Sequence, residues 1–229
     1  MMLLDGIVEL LFPPRCAACD APGAVLCDSC ASMLPLITEG RACPLCGAPM
    51  DDICAECVGR SFSFSACRTV GLFKPPLSSV VTVYKDGGER RLIPVIGALV
   101  ASRLAEWAEW ADAIVPVPPR PAAKSTRGFD HMGLVVRDVA ARTGLPVRAS
   151  LEVRNAADQR QLGRDDRFAN ALGRYTARGD ATLPQRLLLV DDVFTTGATL
   201  EACAAVLLRS GAAEVRAVAF ARATDVVLP

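Results

Sequence analysis

The stretch Leu187–Thr199, "LLLVDDVFTTGAT", sets four branched apolar residues against two adjacent aspartates and a loop of small, hydroxylated residues. A short apolar run bounded by charge suits a buried strand, and strands of parallel sheets are buried on both faces. The loop "TTGAT" (195–199) leads into "TLEACAAVLLRSG" (199–211), a helical pattern stopped at Gly211. Unpaired backbone N–H groups and the positive end of the helix would face that turn. Thr195, Thr196 and Thr199 add hydroxyl donors, and Gly197 allows close backbone approach, so the loop reads as a cradle for one phosphate. It lacks the Gly-Lys-Ser/Thr of a Walker A loop, which argues against a nucleoside triphosphatase. Asp191 and Asp192 cannot hold the phosphate itself. Carboxylates do accept hydrogen bonds from a diol, and a divalent cation would offset their mutual repulsion. A sugar phosphate satisfies both demands. The plain alternative is a strand end with solvated aspartates and a threonine-rich helix cap.

Outward from this stretch, strand-like and helix-like segments alternate. "RTVGLF" (68–73), "AIVPVP" (113–118), "RLLLV" (186–190) and "EVRAVAFARA" (214–223) read as strands. Residues 90–110 read as a helix with Leu92, Ile96, Leu99, Val100, Leu104 and Trp107 along one side and Pro94 in its first turn, and 129–144 as a helix ending at Gly144. This alternation predicts an α/β fold, a parallel sheet flanked by helices, whose ligands bind at the carboxyl ends of the strands. The opening motif lies at such an end.

Eight of the ten cysteines form two copies of C-x2-C-x7-C-x2-C: Cys16, Cys19, Cys27 and Cys30, then Cys43, Cys46, Cys54 and Cys57, each 27 residues after its counterpart. Paired knuckles of this spacing suit closed, structural zinc sites. A disulfide framework suits small secreted chains, and iron–sulfur ligation is a third option. One four-cysteine site per repeat is the expected pairing; a cross-brace joining Cys16/Cys19 to Cys43/Cys46 is the alternative. Cys203 lies in an apolar helical run and reads as a buried small hydrophobe. The texture changes after Cys57, which divides the chain into 1–60, a helix over Leu3–Phe12 plus the cysteine module, and 61–229, the α/β domain.

Lys+Arg and Asp+Glu balance at 25 each, so no global positive field draws the chain to nucleic acid. No apolar run is long enough to span a bilayer, and the apolar start carries Asp5 and Glu9, which fits a signal peptide poorly. The expectation is a cytoplasmic protein without a membrane span.

The full 13-residue opening stretch resembles the signature of type I phosphoribosyltransferases. Within that group the chain resembles the ComF family of competence-associated proteins, from "LFPPRCAAC" (11–19) through "YKDGGERRL" (84–92), "VPVPPRP" (115–121) and "RGFDH" (127–131), with Gln159-x2-Leu162-x3-Asp166-Arg167-x2-Asn170 also similar. The resemblance implies a type I phosphoribosyltransferase-like sheet preceded by a double zinc ribbon. It implies binding of phosphoribosyl pyrophosphate (PRPP) with Mg²⁺, and a glycosyltransferase reaction releasing pyrophosphate to an unspecified acceptor. Asp191 and Asp192 would hold the ribose hydroxyls and associated Mg²⁺ and act in catalysis; Thr195, Thr196, Gly197, Ala198 and Thr199 would hold the 5′-phosphate; Arg120 would lie near the pyrophosphate, with Lys85, Arg127 and Arg167 as further contacts. Asp130 and His131 depart from the family's Asn-Gln. A lone histidine there is expected to be an exposed helix residue. Glutamine-dependent amide transfer is not expected, because Cys16 belongs to a knuckle. The competing reading is a non-catalytic module that senses PRPP or serves DNA uptake as an adaptor for a helicase or single-stranded DNA. Its support is the cluster Arg154, Arg160, Arg164, Arg167, Arg174 and Arg178, interleaved with Phe168 and Tyr175; a solvated helical face is the plainer account.

Overall fold

The computed structural model describes residues 13–119, 121, 125, 128–154, 173–179 and 182–224. The expected helix over Leu3–Phe12, Arg120, Arg127, Arg167 and the Gln159–Asn170 spacing lie outside the described residues. The elements run α1 (Asp28–Ser32), β1 (Ala66–Leu72), α2 (Leu77–Lys85), a 3-10 turn (Arg90–Leu92), α3 (Ile93–Leu104), a second 3-10 turn (Ala105–Trp107), β2 (Ala113–Pro116), α4 (His131–Thr143), β3 (Leu151–Val153), β4 (Tyr175–Ala177), β5 (Arg186–Phe194), α5 (Ala198–Arg209) and β6 (Glu214–Arg222).

Four strands form a parallel sheet in the order β1-β6-β5-β2. On the far side of β2, Val147 makes a parallel bridge to Ile114. The chain therefore leaves β2 in one direction through α4 and later returns on its other side as β5. This reversal opens a crevice at the carboxyl ends of β2 and β5, where open α/β sheets bind ligands. An antiparallel hairpin, β3–β4, lies beyond it.

Strand alternation sorts the core into two layers. Ala113, Val115, Leu187, Leu189, Val215 and Ala217 pack on one face with α5, the β3–β4 hairpin and the second cysteine repeat. Ile114, Leu188, Val190, Val218 and Phe220 pack on the other with α2, α3 and α4, where Ala17, Val25 and Leu26 of the first repeat join only as half-buried residues. Each fully buried Leu here contributes about 1.5–3 kcal/mol relative to exposure.

Three readings of the sequence need correction. The segment 90–110 is not one helix: α3 ends at Leu104 and the chain tightens to 3-10 on both sides, though Leu92, Ile96, Val100, Leu104 and Trp107 are buried as the pattern implied and Leu99 is half-buried. The strand at 186–190 extends to Phe194, so both aspartates belong to the strand, and Asp191 pairs with Ala219. The described arginines of the basic cluster sit on the β3–β4 hairpin rather than a helix, Arg154 donating its N–H to the Arg174 carbonyl at 2.8 Å and Arg178 its N–H to the Ser150 carbonyl at 2.8 Å. Among the described residues no helix is long and apolar enough to cross a membrane.

Candidate functional site

The sulfurs of Cys16, Cys19, Cys27 and Cys30 gather in one cluster and those of Cys43, Cys46, Cys54 and Cys57 in another, each set within 4.8 Å. A tetrahedral zinc with Zn–S of about 2.3 Å sets sulfur–sulfur edges of about 3.8 Å. The Cys19–Cys27, Cys43–Cys57 and Cys46–Cys54 separations of 3.7, 3.7 and 3.6 Å match that edge. All ten cysteines are free thiols, so the disulfide framework is excluded, and the sequential pairing replaces the cross-brace. These are two four-cysteine zinc-binding sites. Their backbones repeat as well: Asp20 N–H donates to the Cys16 carbonyl at 2.8 Å as Gly47 N–H does to Cys43, and the Arg15–Pro22 bridge matches Ala42–Pro49. Cys203 and Cys67 are buried thiols whose ionisation burial pushes up.

At the crevice, β5 hands over to α5 through Thr195, Thr196 and Gly197. Gly197 has φ of +80°, and a Cβ there would stand 2.6 Å from Phe194 Cζ and 3.0 Å from Phe62 Cε1. Glycine is therefore required on conformational and steric grounds alike. Thr195 and Thr196 are exposed, and Thr196 Oγ1 accepts from Ala198 N–H at 3.4 Å. Among the described residues no acceptor lies against the N–H groups of Thr195, Thr196 and Gly197. The loop thus presents amides and hydroxyls at the N-terminus of a 12-residue helix, the arrangement that attracts anions.

The aspartates do not act as a matched pair. Successive side chains of a strand point to opposite faces. Asp191 turns inward and is buried, its Oδ1 accepting the Asp192 N–H at 2.9 Å. Asp192 turns toward α2 and α4, where its Oδ2 lies 2.6 Å from Lys85 Nζ and 2.8 Å from His131 Nε2. Burial, with the neighbouring Asp192 charge, pushes Asp191 up to about 8. Burial acts the same way on Asp192, but the hydrogen bond from His131 and the Lys85 ammonium outweigh it and hold that carboxyl near about 2. At neutral pH the pair therefore carries closer to one negative charge than two, and Lys85 neutralises it. That resolves the repulsion the sequence implies.

Lys85, at the C-terminus of α2, is the one candidate cation from the flanking segments that falls within the described residues, and it meets Asp192 rather than open solvent. His131 corrects the expectation of an exposed residue: it is buried at the start of α4, and its Nδ1 has no hydrogen-bond partner among the described residues. The reason is tertiary. Tyr84 Oη donates to the His131 carbonyl at 2.6 Å, tying α2 to α4 over the strand end. Asp130, the extra acid, caps α4 through Gly133 N–H at 2.9 Å. Tyr175 is buried, so it offers no stacking platform for a base. Among the described residues no group of three carboxylate or imidazole ligands surrounds the aspartates. A Mg²⁺ ion would need oxygens from the ligand, which is its usual habit at phosphate sites.

The chain matches the family model for the double zinc ribbon domain over residues 7–58. It is 26% identical over 205 residues to the competence protein ComFC of Streptococcus pneumoniae, covering 86% of this chain and 87% of that one. With Bacillus subtilis ComFC it is 24% identical over 201 residues, 84% and 81% of the two chains. With the DNA utilization protein YhgH of Escherichia coli K12 it is 26% identical over 224 residues, 90% and 96% of the two. It also superposes in part on a glutamine PRPP amidotransferase from B. subtilis, with TM-score 0.40 and 22% identity over 56% of this chain, spanning a quarter of that enzyme's length. Ribbon pair and near full-length relatives agree: the chain carries a double zinc ribbon and is similar over most of its length to the ComFC competence proteins and to YhgH.

Proposed function

We propose that this protein binds PRPP with Mg²⁺ at the carboxyl ends of β2 and β5 and transfers its phosphoribosyl group with release of pyrophosphate. The observation that carries the reading is the Thr195–Thr199 loop at the start of α5 and at the sheet's switch point, with Thr195 and Thr196 exposed and the amides of Thr195, Thr196 and Gly197 unpaired among the described residues. The 5′-phosphate accepts from the amides of Thr195, Thr196 and Gly197, from Ala198, and from the threonine hydroxyls. Asp192, ionised and only partly exposed, accepts from the ribose hydroxyls; Asp191 fixes the backbone beneath it. Lys85 and His131 orient the Asp192 carboxylate. The acceptor's nucleophile forms a bond to C1 of the ribose as the bond from C1 to pyrophosphate oxygen breaks, through an oxocarbenium-like state. Positive charge developing on the sugar is favoured by the Asp192 carboxylate. Mg²⁺, when bound, supplies charge neutralisation to the pyrophosphate. Arg120 is assigned by resemblance to the pyrophosphate side, with Arg127 and Arg167 as further candidates for phosphate or substrate contact. Both zinc sites have four cysteine ligands and no open position, so their role is structural.

The competence and DNA utilization names of the relatives favour a role in DNA uptake or use. In that setting the site would serve as a PRPP sensor, with a competence helicase or single-stranded DNA as partner. The arginines on the β3–β4 hairpin are the surface such a partner would meet. An acceptor screen of purines, pyrimidines and amines, read by pyrophosphate release, separates the two: release that Asp192→Asn abolishes supports the transferase, and binding of PRPP without release from any acceptor removes catalysis. Exchange of Arg154, Arg174 and Arg178 for alanine, with an unchanged salt-dependent isotherm for single-stranded DNA, would remove that patch.

A further inference from the structure

Arg222 ends β6 with no exposed surface. Its guanidinium donates to three backbone carbonyls, those of Phe194 (3.1 Å), Thr195 (2.7 Å) and Ala223 (2.5 Å), and stands 4.3 Å from the centre of the Phe194 ring. Its carboxylate partner, at 3.0 Å, is Glu56, which lies between Cys54 and Cys57 of the second ribbon. Glu56 also accepts from Thr224 Oγ1. Arg60, just past the same knuckle, donates to the Thr196 carbonyl at 3.2 Å. Phe62 then packs against Gly197 and the Phe194 ring.

A trans peptide points its C=O and N–H in opposite directions. With the Phe194, Thr195 and Thr196 carbonyls drawn toward Arg222 and Arg60, the N–H groups of the same peptides, those of Thr195, Thr196 and Gly197, face away from both arginines. Three successive amides aimed one way form an anion-binding concavity. Arg222 alone would be a buried charge with incomplete pairing; Glu56 supplies its counterion and fixes where the guanidinium sits.

We infer that Glu56, acting through Arg222, is a positioning residue that sets the anion-binding loop, so that the second ribbon shapes the phosphate site from beneath. Among the described residues the first ribbon has no such link: its knuckles join the α2–α4 face, and the residue matching Glu56 is Ser29. The inference rests on the reading of Thr195–Thr199 as a phosphate loop for its consequence in binding, but not for the geometry itself.

The test uses the full chain with zinc bound and compares Glu56→Ala, Glu56→Gln and Arg60→Ala with wild type and with Glu39→Ala, a control at the separate Arg103 ion pair. Two readouts are taken: amide hydrogen exchange of Thr195–Ala198 against Leu187–Val190, and affinity for ribose 5-phosphate. Glu56→Ala is expected to speed loop exchange at least tenfold and weaken affinity at least tenfold, with zinc content and Leu187–Val190 exchange unchanged. Glu56→Gln and Arg60→Ala should have effects of a few-fold each, and they stand in if Glu56→Ala does not fold. Loop exchange and affinity equal to wild type in the folded variants, or equal to that of Glu39→Ala, overturns the inference. Should wild type bind neither ribose 5-phosphate nor PRPP, the proposed function falls, while loop exchange still decides the positioning role.

Discussion

The two ribbons share a spacing, a backbone hydrogen-bond pattern and a four-thiolate cluster, yet they sit on opposite faces of the sheet and do different structural work. The second is part of the core. Cys43, Cys46, Ala48 and Cys54 are buried against β-strand residues, Cys67 N–H donates to the Pro44 carbonyl at 2.9 Å, and Thr69 Oγ1 donates to the Gly47 carbonyl at 2.6 Å. The first touches the domain through half-buried side chains, and Cys19 is exposed. The same metal motif can therefore be a peripheral clip in one place and a foundation in another. Position, more than ligand set, decides what losing it does.

The largest contrast is expected from ligand removal. Coordination of a structural zinc is worth about 10 kcal/mol or more, comparable with the whole stability of a domain at about 5–15 kcal/mol. Cys46→Ser should therefore abolish cooperative unfolding of the α/β domain, whereas Cys19→Ser should melt its own ribbon and leave the sheet folded. Zinc content with circular dichroism checks this; equal damage from both would erase the distinction.

Next comes the turn residue beneath each metal. Gly47 and Asp20 occupy equivalent positions with φ of +67° and +62°. A Cβ on Gly47 would meet Thr69 Cγ2 at 2.7 Å, so Gly47→Ala should cost about 3 kcal/mol from strain and overpacking. Asp20 faces solvent, its bidentate pair with Arg15 at 2.6 Å offsetting the strained φ. Asp20→Gly relieves the backbone and loses a solvent-screened surface ion pair, so its net effect on denaturant midpoint should be small. A large loss there would mean the exposed ribbon is less peripheral than its burial implies.

The two faces differ again at the aspartates, and here pH separates them. Asp191 has its folded value raised to about 8, so the unfolded chain releases that proton first and stability falls as pH rises from about 4 to about 8. Asp191→Asn, which keeps an oxygen for the Asp192 N–H, should stabilise the ligand-free protein, with a gain that grows across that window. Asp192 has its folded value lowered, so it stabilises above the ordinary aspartate range and that contribution is lost as pH falls toward about 2. Asp192→Asn should instead destabilise the protein at neutral pH, leaving Lys85 and His131 without their anion. Denaturation series at pH 4, 6 and 8 distinguish the signs.

The sequence made the ribbons legible because metal spacing is local: a 27-residue offset repeated four times leaves little freedom. The sheet strands were legible because they are continuous apolar runs. Helix α2 is less legible: Leu77, Val80, Val81 and Tyr84 follow i, i+3, i+4, i+7, but the helix is only nine residues long, follows Pro75-Pro76 and includes Ser78 and Ser79 in its first turn. Strands β3 and β4 have three residues each, too few for alternation to register. That adjacent aspartates must face opposite ways was implicit in the two-residue period once the strand was known to continue past Val190. His131 on Asp192, and Glu56 on Arg222 across 166 positions, are tertiary meetings without a local signal.

The central claim, that the Thr195–Thr199 loop with Asp192 is a PRPP site, is tested most directly by isothermal calorimetry of the zinc-loaded chain with PRPP and Mg²⁺. The account predicts a single saturable site in wild type, weakened at least tenfold in Asp192→Asn and in Gly197→Ala, and little changed in Asp20→Gly. No binding heat in wild type, or equal affinity in all four proteins, would contradict it.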